Sequence, residues 1–259
     1  EEIYLPYESP NLKTIPPEFI LAGGFEALPV DYGDVCLNYD KSYFVENGLV
    51  LPQSLSDLTQ PQYGKGPSQE GLLVVENPAI SSPGLAFLLA TAAEFGPDQY
   101  LEYWQALKEN GVEVVNDWTT AYYTNFSGSS GKGAQPLVVS YASSPAAEVI
   151  YAAEPITDAP TASITSPGMC FRQVEFVGIL KGTQNELLAR KFVDFMLSRE
   201  FQEDMPLQMF VYPVLPEAAL PEEFILYNQS PTEPSSLDPQ MITENRDAWI
   251  QAWTELMLQ

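Results

Sequence analysis

Histidine is absent from all 259 residues. Its absence removes the commonest general base, the commonest metal ligand and the Ser-His and Cys-His pairs on which most hydrolases rest. No nucleophile elbow takes their place, which argues against hydrolase or transferase chemistry built on serines and carboxylates. Basic residues are scarce too: 11 Lys and Arg stand against 35 Asp and Glu, a formal net charge of -24. Such a surface repels phosphate backbones and anionic lipid, so no nucleic-acid partner is expected. A cationic ligand is favoured, although acidity also serves plain solubility. Cysteine is limited to Cys36 and Cys170. They are too far apart for a metal knuckle and too few for a disulfide-dense scaffold, and read either as buried thiols or as one bridge. No metal site and no cofactor are expected. No apolar run reaches membrane-spanning length, and EEIYLPYESP lacks the basic and apolar regions of a secretion signal. With no initiating Met, the sequence reads as a processed, trimmed or partial product. The patch SGSSGKG (127–133) lacks the spacing and trailing Ser/Thr of a phosphate-cradling loop and reads as a surface loop.

What the chain does hold is 45% apolar residues, enough for one large α/β domain or two lobes. Strand and helix signals alternate, with no repeat of solenoid period. GLLVVE (71–76) is a short apolar run, and Ser81-Ser82-Pro83 then offers hydroxyl caps and a proline suited to a helix's first turn. Leu101, Trp104 and Leu107 recur at helical spacing before the stop at Gly111, and VEVV (112–115) is the next strand. Asn116-Asp117 caps a helix from Trp118, and PLVVSY (136–141) is a buried strand feeding a helix opened by Ser144-Pro145. FRQVEFVGILKG (171–182) is extended. Thr183 to Glu186 spells a capping box for a helix carrying Leu188, Phe192, Phe195 and Met196 inward. Pro213 to Pro239 reads as a long surface connection. Asp238-Pro239 opens a last helix with Ile242, Trp249, Ala252, Trp253 and Leu256 on one stripe. This alternation predicts an α/β fold with a mostly parallel sheet covered on both faces.

In such sheets ligands sit beyond the carboxyl ends of the strands, where helix N-termini present unpaired N–H groups. Ser81/Ser82 and Ser143/Ser144 fall at two such junctions, where each hydroxyl can cap its own helix or turn to an anionic ligand group. Trp118 falls at a third, and Tyr141 closes the strand before Ser143. Aromatic rings there can stack on a flat ligand and hold a cationic one by cation–π attraction. Tyr122 and Tyr123 are helix neighbours whose side chains diverge, and with no histidine they make no ferric clamp.

An ordered set of motifs carries a family resemblance over nearly the whole chain: LPVDYGDVCLNYDK (28–41), ENPAISSPGL (76–85), NDWTTAY (116–122), VVSYASSPA (138–146), RQVEFVGILKG (172–182), KFVDFMLSREFQ (191–202), FVYPVLP (210–216) and RDAWIQAW (246–253). The chain resembles the thiamine-type substrate-binding proteins of ABC importers, within the type II periplasmic-binding-protein superfamily. The resemblance implies two lobes, 1–35 with 174–215 and 36–173 with 216–259. The first is incomplete, since the family's opening strand and helix units have no counterpart here. It implies a two-strand hinge at 32–40 and 168–176, so that Cys36 and Cys170 both fall there, which favours a disulfide in an exported protein.

The same resemblance implies a non-catalytic monomer that is exported, periplasmic or extracellular and membrane-attached. Such a receptor closes on thiamine or a thiamine phosphate and presents it to an ABC permease. Ser81 would face a phosphate or hydroxyl, Trp118 would stack on the ring system and Tyr141 would donate a hydrogen bond. Ser82, Ser144, Asp31, Tyr32 and Phe210 complete the candidate ligand-binding set. Ala147 stands where the family has a stacking tyrosine, and Phe210 where it has a tryptophan. The alternatives are the same fold holding a polyamine, another cationic heterocycle or a small anion, or a fragment that binds nothing and serves a partner.

Overall fold

A computed structural model describes residues 3–65, 71–130 and 133–259. The strands in chain order are β1 (Tyr4–Leu5), β2 (Leu28–Asp40), β3 (Leu73–Glu76), β4 (Glu113–Val115), β5 (Leu137–Tyr141), β6 (Thr161–Ile164), β7 (Phe171–Val177), β8 (Ile179–Leu180) and β9 (Tyr212–Pro213). The helices are α1 (Lys41–Glu46), α2 (Ser82–Phe95), α3 (Tyr100–Glu109), α4 (Trp118–Thr120), α5 (Ser127–Ser130), α6 (Ser144–Ile150), α7 (Glu186–Met196), α8 (Arg199–Met209), α9 (Glu222–Tyr227) and α10 (Pro239–Leu258). The chain divides into two compact units, Glu1–Gly33 with Gln173–Ile225 and Asp34–Arg172 with Leu226–Gln259. It passes between them inside β2, inside β7 and within α9. Residues 216–225 group with the first unit, where Phe224 packs edge-on against Tyr212.

The second unit is built on a sheet of order β4-β3-β5-β2-β6. β3 runs parallel to β4 and β5, while β2 runs antiparallel to β5 and β6. The sheet is therefore mixed rather than mostly parallel. Its parallel core is made by helical crossovers such as β3-α2-α3-β4, whereas β2 enters from the first unit with no crossover to impose direction. Side chains alternate across β3: Leu73 and Val75 join the large core with α2, α3 and α10, while Val74 joins Val138, Ala121, Tyr122 and Phe126 on the opposite face. Trp104 and Trp253 meet edge to face at 5.3 Å, and the Trp104 indole N–H donates to Thr91 Oγ1 at 2.9 Å, so the deepest indole keeps a partner. α10 seats Trp249 and Trp253 in this core as its stripe requires. Cys36 and Cys170 are joined as a disulfide, fully buried beside Ala142.

In the first unit Leu12, Ile15, Leu28, Ile179, Val193, Leu197, Val214 and Leu215 form the main core. Buried Gln202 of α8 ties it together: its amide donates to the Val30 and Met196 carbonyls at 2.8 Å each, and its carbonyl accepts from Leu215 N at 3.1 Å. A fully satisfied amide of this kind fixes the helix against the strand without leaving an orphan group.

Four further sequence expectations are corrected. α7 turns Ala189, Val193 and Met196 toward the interior and leaves Leu188 66%, Phe192 55% and Phe195 51% exposed. The helix carries two apolar stripes, and spacing shows which residues share a face but not which face the core takes. The capping box does not form; Thr183 Oγ1 accepts from Asn185 N at 3.2 Å, closing a turn ahead of the helix. The proline-rich connection contains α9, and Ser127–Ser130 is a short helix where a loop was expected; Gly131 and Lys132 lie outside the described residues.

Candidate functional site

Because β4, β3 and β5 are adjacent and parallel, their carboxyl ends open on one edge of the second unit's sheet. β3 leads to Ser81 and α2, β4 to Asp117 and Trp118, and β5 to Ser143 and α6. Five candidate residues, Ser81, Ser82, Trp118, Tyr141 and Ser144, thus lie along a single edge, the place where such sheets hold ligands.

At the first junction Ser81 is the N-cap of α2, with Oγ accepting from Gly84 N at 3.5 Å, and Pro83 occupies the first turn. A cap that long is weak and leaves the hydroxyl largely uncommitted as a donor. Ser82 is exposed at the helix mouth. Gly84 is required here: a Cβ would come within 2.4 Å of the Glu76 carbonyl oxygen, so only glycine lets α2 seat this close to the end of β3.

At the second junction Asp117 caps the turn through Thr120 N at 2.8 Å, and its first turn points Trp118 back over the sheet. The Trp118 indole N–H donates to Ser140 Oγ at 2.8 Å, and Ser140 Oγ lies 2.8 Å from Ser144 Oγ. The indole's bond links the turn after β4 to β5, although β3 lies between those two strands in the sheet. Tyr122, four residues on in a wider π turn (Ala121–Asn125), stacks on the indole at 5.0 Å and 17°, and Tyr123 meets it edge-on. Trp118 is half-buried, one face held by Tyr122. Ser144 is engaged with Ser140 rather than with its own helix, and Ser143, the N-cap of α6, makes no side-chain cap bond. Tyr141 is half-buried, and its carbonyl is held by the Asn38 amide at 3.0 Å.

Two members of this edge were not singled out from the sequence. Ser140 is the acceptor that fixes the indole. Glu76 closes β3, is 1% exposed, and neither carboxyl oxygen has a hydrogen-bond partner among the described residues. Burial holds its pKa well above the ordinary carboxylate value, opposed by its own backbone N–H and reinforced by Asp117. The signal in the sequence was an acid ending the apolar run GLLVVE.

The remaining candidates lie in the first unit. Asp31 on β2 is 4% exposed with Oδ1 unpartnered; burial, and then the Glu175 charge, raise its pKa to about 7. Tyr32, half-buried, stacks with Phe19 at 5.0 Å and with Tyr212 at 5.2 Å. Phe210 ends α8 in the left-handed conformation, φ 57°, its N–H bonded to the Pro206 carbonyl.

A family model described as "Bacterial extracellular solute-binding protein" matches residues 1–230. The thiamine-binding periplasmic protein of Salmonella typhimurium is 33% identical over 229 residues, covering 87% of this chain and 62% of its own length. The chain thus spans less than two thirds of such relatives. A solved periplasmic thiamin binding protein superposes with a TM-score of 0.79 at 27% identity, covering 99% of this chain and 73% of the other. A periplasmic binding protein from Actinobacillus pleuropneumoniae, solved with fructose-6-phosphate, superposes with a TM-score of 0.78 at 20% identity over 99% and 77%.

Proposed function

Starting from a chain that belongs to the bacterial extracellular solute-binding protein family, we propose that it is the receptor component of an ABC importer and that its ligand is thiamine or a thiamine phosphate. The observation that carries this reading is the indole of Trp118, locked by Ser140 and backed by Tyr122, beside the mouth of α2 on one sheet edge. A flat cationic ring fits the indole's outer face, and a hydroxyl or phosphate fits the Ser81 and Ser82 end, where α2 presents unpaired N–H groups. The likeness to thiamine-binding relatives supports the ligand. The role is binding rather than catalysis, carried out outside the cytoplasm with a membrane permease as the partner. Among the described residues no helix is long and apolar enough to cross a membrane.

Native mass spectrometry of protein as purified tests the ligand. The expected result is an added mass of thiamine or one of its phosphates, or its uptake on addition. A different retained mass, or none with thiamine in excess, contradicts the proposal.

A further inference from the structure

We infer that Glu76 is the residue that makes this sheet edge select a cationic over a neutral or anionic ligand, by giving up its proton when a positive charge settles over Trp118. The inference rests on the proposed ligand-binding role of that edge.

The geometry is set by register. Glu76 lies opposite Val115 on β4, and Val74 opposite Val138 on β5, which puts Ser140 beside Glu76. Side chains of one parity share a face, so Val74, Glu76, Val138 and Ser140 all point to the side where Trp118 and Tyr122 lie. The Trp118 indole N–H is held by the hydroxyl of Ser140, the neighbour of Glu76 in that register. Glu76 sits at this same edge, next to Ser140 in register, with both oxygens buried and unpartnered among the described residues.

Among the described residues, the elements packed around it supply no positive charge. β3, β4, β5, α2 and the segment 118–125 contain no Lys or Arg. The charged or titratable groups they present are acidic or phenolic: Glu113 on β4 and Asp117 beyond it, Glu94 in the last turn of α2, and Tyr122 and Tyr123, which feel Glu148 of α6. β5 adds only the Ser140 hydroxyl and the Tyr141 phenol. A carboxyl in these surroundings stays protonated until an external cation arrives. The charge of a cation bound at this edge acts on the buried carboxyl through a low dielectric, where it stabilises the carboxylate strongly. Ligand binding and proton release are then two readings of one coupling, and each must report the other. The proton goes to solvent, and the negative charge it leaves on the carboxylate is balanced by the ligand's own positive charge.

The test is calorimetric titration of thiamine into the wild-type chain and Glu76→Gln, between pH 5.5 and 8.5, in two buffers of different ionisation enthalpy. Wild type should show a buffer-dependent heat equivalent to release of up to about one proton, with affinity rising by up to about tenfold per pH unit below the folded pKa. Glu76→Gln should bind at least tenfold more weakly at pH 8.5, with no proton release and no pH slope. A buffer-independent heat in wild type, or an unchanged slope in the variant, overturns the role of Glu76 while leaving thiamine binding standing. No heat from thiamine in either protein overturns the ligand assignment and this inference with it. Should Glu76→Gln fail to fold, as judged by circular dichroism, the two-buffer comparison on wild type decides alone.

Discussion

Arg172 grips Asp34 with both prongs of its guanidinium, Nε to Oδ1 at 2.8 Å and Nη2 to Oδ2 at 2.9 Å, two residues from the disulfide between Cys36 and Cys170. The two links tie β2 to the start of β7 on the second unit's side of both passages. The Asp34 side chain is wholly buried, so the pair is worth more than a surface bridge. Arg172→Ala strands that carboxylate and should lower stability by about 2–4 kcal/mol, with Asp34→Asn milder, as read from urea midpoints. Equal and negligible losses for both would mean the pair contributes nothing.

The disulfide closes a sequence separation of 134 residues. Constraint of the unfolded chain predicts that Cys36→Ser with Cys170→Ser costs about 3–5 kcal/mol. Intact mass after alkylation without reductant should show no modified thiol in the native-source protein. Two modified thiols would contradict the bridge.

Asp31 gives a pH signature in the first unit. Its folded carboxyl holds a proton up to about pH 7, whereas the ordinary value is 3.8. The folded state binds that proton more tightly than the unfolded chain. The contribution is therefore complete below about pH 4 and is lost as pH rises to about 7. Asp31→Asn should remove a decline of roughly 2–4 kcal/mol across that window. A variant whose stability falls with pH as steeply as the wild type would refute the assignment.

Gly84→Ala drives a Cβ against the Glu76 carbonyl. A cost of about 1–3 kcal/mol is expected, together with weakened ligand binding, because the mouth of α2 must move. Binding and stability both unchanged would show that the contact relaxes freely.

Much of this was legible in the sequence because the signals were local. Ser81-Ser82-Pro83-Gly84, Asp117-Trp118 and Ser144-Pro145 each mark a strand-to-helix junction by cap and proline chemistry, and the structure builds helices at all three. What stayed hidden depended on pairing. That Trp118 bonds Ser140 across an intervening strand follows from the order β4-β3-β5, which no spacing reveals. Glu76 read as an ordinary acid, and the burial of Asp31 was equally hidden, because burial without a base is a property of neighbours in space. The outward face of α7 was misread because Leu188, Phe192 and Phe195 form as regular a stripe as Ala189, Val193 and Met196. The stacking of Tyr32 with Phe19 and Tyr212 joins distant segments and was equally hidden.

The most direct measurement is thiamine titration of the wild-type chain beside Trp118→Ala, at pH 8 and constant salt. The account predicts saturable one-site binding that the substitution weakens at least tenfold, with the fold intact by circular dichroism. No heat from thiamine or its phosphates at high micromolar concentration, or equal affinity in both proteins, would contradict it.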